Sequence, residues 1–209
     1  PEGLTQAGHT TTARDLSILA MRLMRDFPEY THFYAIKKYR YQGTPTANDS
    51  NRNLLLFRDP TVDGLKTGHT DAAGYCLIAT AKRDFTGLGM GTAVGSRRML
   101  AIVLGTSSEN ERANEAQKLL NWGYTAFEAV KLFDAGQAVV SPKIWKGADN
   151  NLRLGQPDAI VVALPTGSAS RIKTSISRPE PLLAPISKGQ QVGVLKVGLD
   201  QQSVLDIPL

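Results

Sequence analysis

One cysteine, Cys76, in 209 residues excludes an internal disulfide and any Cys-x-x-Cys metal or redox motif. Its setting, Tyr75-Cys76-Leu77-Ile78-Ala79, reads as a strand in which Cys76 serves as a small buried apolar side chain. Long apolar runs are also absent. No stretch approaches the ~20 residues that a membrane-spanning helix requires, and no signal-peptide pattern opens the chain. Blocks of like charge are missing as well, so the net charge of +5 is no nucleic-acid footprint, although it suits an anionic polymer or surface. The chain begins Pro1-Glu2-Gly3 without an initiator Met and so reads as a processed or truncated piece, which makes the lack of a leader uninformative about compartment.

What is present is the composition of a folded protein. Hydrophobic content of 42% and charged content of 21% suit one large domain or two small ones. Thr12, with Asp15 three residues on, opens a run with apolar residues at Leu16, Leu19, Ala20, Leu23, Met24 and Phe27. That spacing predicts an amphipathic helix with a hydroxyl cap, stopped by Pro28. Residues 33–58 alternate aromatic and polar side chains around Gly43-Thr44-Pro45 and read as short strands or loop. Residues 62–67, Tyr75 to Lys82 and Arg98 to Gly105 read as strands. Gly87, Gly89 and Gly91 look superficially like a phosphate-binding loop. A strand rather than a helix follows them, so a long hairpin loop is the better reading.

Asn110 to Leu132 carries apolar residues at Ala113, Ala116, Leu119, Leu120, Tyr124, Phe127 and Val130, which predicts the clearest helix. After Phe133 the helical period is lost. Short apolar segments then alternate with turn clusters such as Gly147-Ala148-Asp149-Asn150 and Pro165-Thr166-Gly167-Ser168. The expected organisation is therefore an α+β domain over residues 1–132 and a small all-β sandwich over 133–209.

Chemistry concentrates at Asp63-Gly64-Leu65-Lys66-Thr67-Gly68-His69-Thr70. A strand ending in Lys-Thr-Gly offers a peptide terminus three things. The Lys66 ammonium and the Thr67 hydroxyl can both hold a carboxylate. Gly68, lacking a Cβ, lets an extended ligand lie against the strand as an added neighbour. The backbone N–H of His69 can then face a developing oxyanion. The bland alternative for the same tripeptide is a solvated lysine beside a turn. His9 and His32 have no partner spacing for a metal or a triad, so surface or helix-entry roles fit them.

This block, with Ala73-Gly74-Tyr75 after it, resembles the low-molecular-mass penicillin-binding proteins that act as D-alanyl-D-alanine carboxypeptidases, serine enzymes of the peptidase S11 type. The likeness continues through Ala13-Arg14-Asp15, Asn51-Arg52-Asn53-Leu54-Leu55, Glu111-Arg112 and Lys118-Leu119-Leu120-Asn121-Trp122-Gly123. The tail, with Trp145, Pro165-Thr166-Gly167 and Gly189-Gln190-Gln191-Val192-Gly193, resembles the accessory domain of those enzymes. The resemblance implies a penicillin-binding-protein/β-lactamase-like antiparallel sheet with flanking helices, partial here, followed by the β-rich domain.

It further implies an acyl-enzyme that trims the terminal D-Ala from peptidoglycan pentapeptides and is acylated by β-lactam antibiotics, with no cofactor and no metal. Lys66, Thr67 and Gly68 would bind the substrate, and His69 would supply the oxyanion N–H. Arg112 matches an arginine near the carboxylate subsite. Arg52 is a further candidate, its alternative being a structural pairing with an acid. The location implied is periplasmic, peripheral to the inner membrane.

Two departures qualify the likeness. The family's Ser-x-x-Lys and Ser-x-Asn motifs do not occur as a usable set. Ser17, Ser107 and Ser108 have no lysine three residues later. The expected partner is thus an N-terminal segment carrying the nucleophile, without which the fragment is inactive. The family's amphipathic C-terminal membrane helix is also not found after Leu209. A non-catalytic module that binds peptidoglycan or a protein stays open as an alternative. A single-domain β-lactamase fits less well, since it has no place for the β-rich tail.

Overall fold

The computed structural model describes residues 3–86 and 93–209, and the side chains of 86, 93 and 94 are excepted. The glycine-rich loop noted above lies outside the described residues. Two compact units are present: Pro1–Phe85 with Gly95–Thr125, and Thr86–Val94 with Ala126–Leu209.

In the first unit, helix α1 (Ala13–Asp26) starts where the sequence predicts it. The Thr12 hydroxyl accepts from the Asp15 backbone N–H at 3.1 Å, satisfying one of the helix's free donors. The apolar stripe of α1 is not enclosed as its spacing suggests. Of its residues only Ala20 is buried, Leu16, Leu23 and Met24 are half-buried, and Leu19 and Phe27 are exposed, as are Ile18 and Met21 beside it. Residues 33–58 are mostly loop, joined by a single Lys38–Ser50 bridge, with two one-turn helices, α2 (Thr31–Tyr34) and α3 (Leu55–Arg58). The α3 turn, unexpected from the sequence, follows an Asx turn in which the Asn53 side chain accepts from the Leu55 N–H at 3.1 Å.

Strands β1 (Val62–Thr70), β2 (Gly74–Thr86) and β3 (Ala93–Thr106) form a sheet in that order, which leaves β1 at an edge. Helix α4 (Glu109–Ala126) follows. Its Ser108 hydroxyl accepts from the Glu111 N–H, and the Glu111 carboxylate reaches back to the Ser107 N–H at 2.7 Å. Those bonds, the Ser107 hydroxyl's above all, hold the Glu111 carboxyl below its ordinary pKa. The core joins Leu77, Ala79 and Ala81 of β2 and Ala101 and Val103 of β3 to Ala113, Ala116 and Leu120 of α4. One face of the sheet therefore lies under α4.

The helix stops at Ala126, short of the predicted Leu132. The Thr125 hydroxyl bonds back to the carbonyls of Asn121 and Trp122, and Phe127–Phe133 leaves as strand β4 to pair with β8 (Ile160–Pro165). The apolar residues Phe127 and Val130 satisfy either period, and tertiary pairing selects the strand.

The second unit is all-β apart from one 3-10 turn among its described residues. Beside β4 and β8 it contains β5 (Ala138–Val140) paired with β7 (Leu154–Gly155), and β6 (Ile144–Trp145) paired with β10 (Leu182–Leu183). Strands β9 (Ile172–Ser177), β11 (Val194–Leu199) and β12 (Gln202–Pro208) make a three-stranded sheet with β11 central. Val130, Leu154, Ile160, Val162, Leu164, Leu195 and Val197 form a single core between these ladders, as a small sandwich requires.

Candidate active site

Asp59 sets the entry to β1. Its carboxylate accepts from the Thr61 N–H (2.8 Å), the Thr61 hydroxyl (2.6 Å) and the Arg83 guanidinium (2.8 Å). Burial pushes the Asp59 carboxyl up, but the Thr61 and Arg83 bonds outweigh it and the net displacement is downward. At the far end, the turn after Thr70 closes when the Ala73 N–H donates to the Thr70 carbonyl and hydroxyl, both at 3.1 Å. Gly74 then takes φ +64°, and a Cβ there would meet the Thr106 carbonyl oxygen at 2.9 Å, so no other residue fits.

Between these anchors, β1 pairs with β2 in the register Lys66–Ile78, Thr67–Leu77, Gly68–Cys76 and His69–Tyr75. Because side chains alternate, Thr67 and His69 share the α4 face with Leu77 and Tyr75. Lys66 and Gly68 share the opposite face with Ile78 and Cys76. On that face Tyr34 of α2 covers Gly64, where a Cβ would lie 3.4 Å from the Tyr34 Cβ. Farther along, the face is open: Lys66 and Gly68 are exposed, and the nearest atom to a Cβ on Gly68 would be that of Cys76 at 3.9 Å. The Lys66 ammonium folds onto the Thr67 carbonyl. Cys76 is half-buried rather than enclosed as expected, because the glycine opposite leaves its flank uncovered.

Arg112 is 2% exposed. Its guanidinium donates to the Gly68 carbonyl (3.2 Å), the Arg52 carbonyl (3.1 Å) and the Glu109 carboxylate (3.1 Å). It thus ties the end of β1 and the loop before α3 to the start of α4. Arg52 contributes its backbone to this junction. Its own side chain is exposed and donates to Asn48 at 3.2 Å, an amide rather than the acid its structural alternative anticipated. The His69 imidazole is exposed and stacks on Tyr75, with centroids 3.9 Å apart and planes inclined by 28°. Lys66, Thr67, Gly68, His69 and Arg112 therefore meet at the end of one edge strand, and the Arg52 guanidinium is directed elsewhere.

The structure also gives roles to two residues that the sequence reading quoted only as part of the resemblance. Asn53, 3% exposed, donates to the Gly64 carbonyl at 2.9 Å and so fixes the start of β1. Tyr75 lies under His69, and equal spacing either side of the turn was the signal that could have found it. The hydroxyls of Ser17, Ser107 and Ser108 are spent on helix-end bonds to Arg14, Glu111 and Glu111, respectively. Among the described residues no cluster of His, Cys, Asp and Glu could hold a metal, and no helix is long and apolar enough to cross a membrane.

Residues 1–106 match the family model of D-alanyl-D-alanine carboxypeptidase, and residues 127–209 match that of the penicillin-binding protein 5 C-terminal domain. The chain is 36% identical to the D-alanyl-D-alanine carboxypeptidase DacC of Escherichia coli over 209 residues, covering 99% of the chain and 49% of the relative. It is 30% identical to DacF of Bacillus subtilis, covering 100% of the chain and 51% of the relative. The chain thus spans about half the length of the curated relatives it matches. Penicillin-binding protein 5 from Haemophilus influenzae superposes with a TM-score of 0.78 at 31% identity, over 99% of the chain and 57% of that structure.

Proposed function

Since the chain belongs to the D-alanyl-D-alanine carboxypeptidase family, we propose that its first unit forms the carboxylate-clasping wall of a serine carboxypeptidase that removes the terminal D-Ala from peptidoglycan pentapeptides. The observation that carries the reading is the edge position of β1, with Lys66 and Gly68 on an open face and the neighbouring His69 at the strand's end. An extended peptide adds to such an edge as a further strand. Its terminal carboxylate lies at the rim of the strand, where the long Lys66 side chain, turned toward Thr67, and the Thr67 hydroxyl approach it from the two faces, and Gly68 leaves room for its backbone. Arg112 serves this subsite from behind by holding the Gly68 carbonyl. Arg52 lends the same junction its carbonyl.

The reaction is acyl transfer. A serine hydroxyl adds to the carbonyl of the D-Ala-D-Ala bond, the His69 N–H stabilises the resulting oxyanion, and D-Ala leaves as the amine. Water then releases the acyl group. A β-lactam carries an equivalent carboxylate beside a strained amide, so it acylates the same serine.

In this reading the serine and its lysine partner belong to the remaining half of the enzyme, and the fragment alone is inactive. No serine of the first unit is followed by a lysine at the third position, which supports that placement. The exposed apolar residues Ile18, Leu19 and Met21 of α1, with Phe27 just after it, supply a surface for the other half to cover. The enzyme works in the periplasm at the inner membrane, and the β-rich unit serves as its accessory domain.

The test uses the full-length enzyme and a fluorescent penicillin. Wild type labels covalently, and Lys66→Ala slows labelling by about a hundredfold, as loss of a fixed charge opposite the reacting ligand should. Labelling of Lys66→Ala at the wild-type rate sinks the assignment.

A further inference from the structure

Edge strands fray, and a clasp built on the last residues of one needs something to hold it. On its outer side β1 has no neighbouring strand among the described residues, Gly68 has no side chain with which to pack, and Lys66 is exposed. Three contacts oppose fraying at this end. The turn closes through Thr70 and Ala73. Arg112 holds the Gly68 carbonyl. The third contact is Tyr75.

Tyr75 is half-buried and sits directly across the ladder from His69. Its ring stacks on the imidazole at 3.9 Å, and the Arg112 guanidinium lies over the same ring, its central carbon 5.4 Å from the centroid. The Tyr75 carbonyl accepts from the Thr106 hydroxyl at 2.9 Å, which ties it to the end of β3. One aromatic ring therefore engages both the residue after Gly68 and the side chain that grips the Gly68 carbonyl. Aromatic cross-strand pairs and cation–π contacts are favourable in their own right. Here they also restrict the positions open to Gly68 and His69.

We infer that Tyr75 is a positioning residue for the carboxylate clasp: its ring holds His69 and Arg112 in place, and through them the end of β1. The inference rests on the proposed carboxypeptidase reading for its functional consequence but not for its geometry. Tyr75 touches no substrate in this account. Without the ring, β1 still forms, since its ladder with β2 and the Asp59 and Asn53 anchors remain. Its end, however, samples more positions, so the carboxylate finds Lys66 and Thr67 aligned less of the time. Such a defect raises KM. A merely destabilising substitution lowers the amount of active enzyme, and so kcat, and leaves KM alone.

The full-length enzyme carrying Tyr75→Leu is compared with wild type and Tyr75→Phe, using a peptide ending in D-Ala-D-Ala. Tyr75→Leu is expected to raise KM about tenfold, with kcat falling as well because the His69 N–H is held less firmly opposite the oxyanion, and Tyr75→Phe, which keeps the ring, stays near wild type in both. His69→Leu removes the same stack from the exposed side, keeps the backbone N–H, and raises KM in the same direction, which preserves the test should Tyr75→Leu fold poorly. A KM within twofold of wild type in folded Tyr75→Leu overturns the inference, as does a Tyr75→Phe variant as impaired as Tyr75→Leu. Independently of turnover, the His69 imidazole proton resonances should move downfield in Tyr75→Leu as the ring current is lost, and not in Tyr75→Phe. Resonances that stay in place also overturn it. Wild-type enzyme without turnover counts against the carboxypeptidase reading alone, and the imidazole resonances then still decide whether Tyr75 holds His69.

Discussion

Arg112 donates to the backbone carbonyl of Gly68 across 3.2 Å, from a helix to the end of an edge strand. A guanidinium buried to 2% exposure with a half-exposed carboxylate, Glu109, as its ionic partner must satisfy its donors on backbone oxygens. It does so on Gly68 and Arg52, so the charge that ties down the end of β1 is also the one that closes the core at this point.

Replacing Arg112 with Met should therefore destabilise the enzyme by about 2–3 kcal/mol, because two carbonyl partners lose their donor and a fitted side chain is lost. Arg112→Lys should recover less than half of this, since an ammonium cannot span both carbonyls as a planar fork does. Denaturant midpoints of the full-length protein give the comparison. Equal stability of the Met variant and wild type would show that the junction carries no weight.

Gly68→Ala separates folding from binding. The backbone at Gly68 lies outside the positive-φ region, and an added methyl would meet Cys76 at an ordinary 3.9 Å. The melting temperature should stay within about 2 °C of wild type. A methyl on the open face nonetheless stands where the ligand backbone must approach, so acylation by penicillin should slow by about tenfold or more. Undiminished acylation would mean that the ligand does not lie along this strand.

Acid should weaken the approach to β1. Asp59 has its pKa depressed below the ordinary 3.8 in the folded state despite burial, because Thr61 and Arg83 bond its charged form. A depressed carboxylate contributes its stability above the unfolded-state value and loses it as pH falls through the folded one. The melting temperature should thus drop as pH is taken from about 5 to below about 3.8. Asp59→Asn should be less stable at pH 7 by about 1–3 kcal/mol and should show a shallower acid limb. Parallel acid limbs for the two proteins would remove Asp59 from the explanation.

Much of this fold is written in short-range chemistry. Thr12 and Asp15 announce α1, Pro28 ends it, and Lys66-Thr67-Gly68 lies on the strand that its neighbours predict. Prediction falters where local signals are ambiguous. Phe127 and Val130 fit a helix or a strand, and only pairing with β8 decides between them. Asn53 and Leu55 look like loop until the Asn53 side chain closes an Asx turn on the Leu55 N–H.

The site divides along the same line. Residue types and their spacing were enough to nominate a carboxylate-binding lysine, a hydroxyl beside it, a glycine for close approach and an N–H beyond, since all four lie on consecutive residues of one strand. Arg112 is nominated only through the family resemblance, its own surroundings reading as one more charge at an acidic helix start, and Tyr75 enters only as part of the matching block at the head of a strand. Their work depends on contacts at separations of 44 and 60 positions for Arg112, and on a hairpin register for Tyr75. Those contacts exist only once α4 has packed on the sheet through Ala113, Ala116 and Leu120, because burial there leaves the guanidinium no water to face and backbone carbonyls to satisfy it.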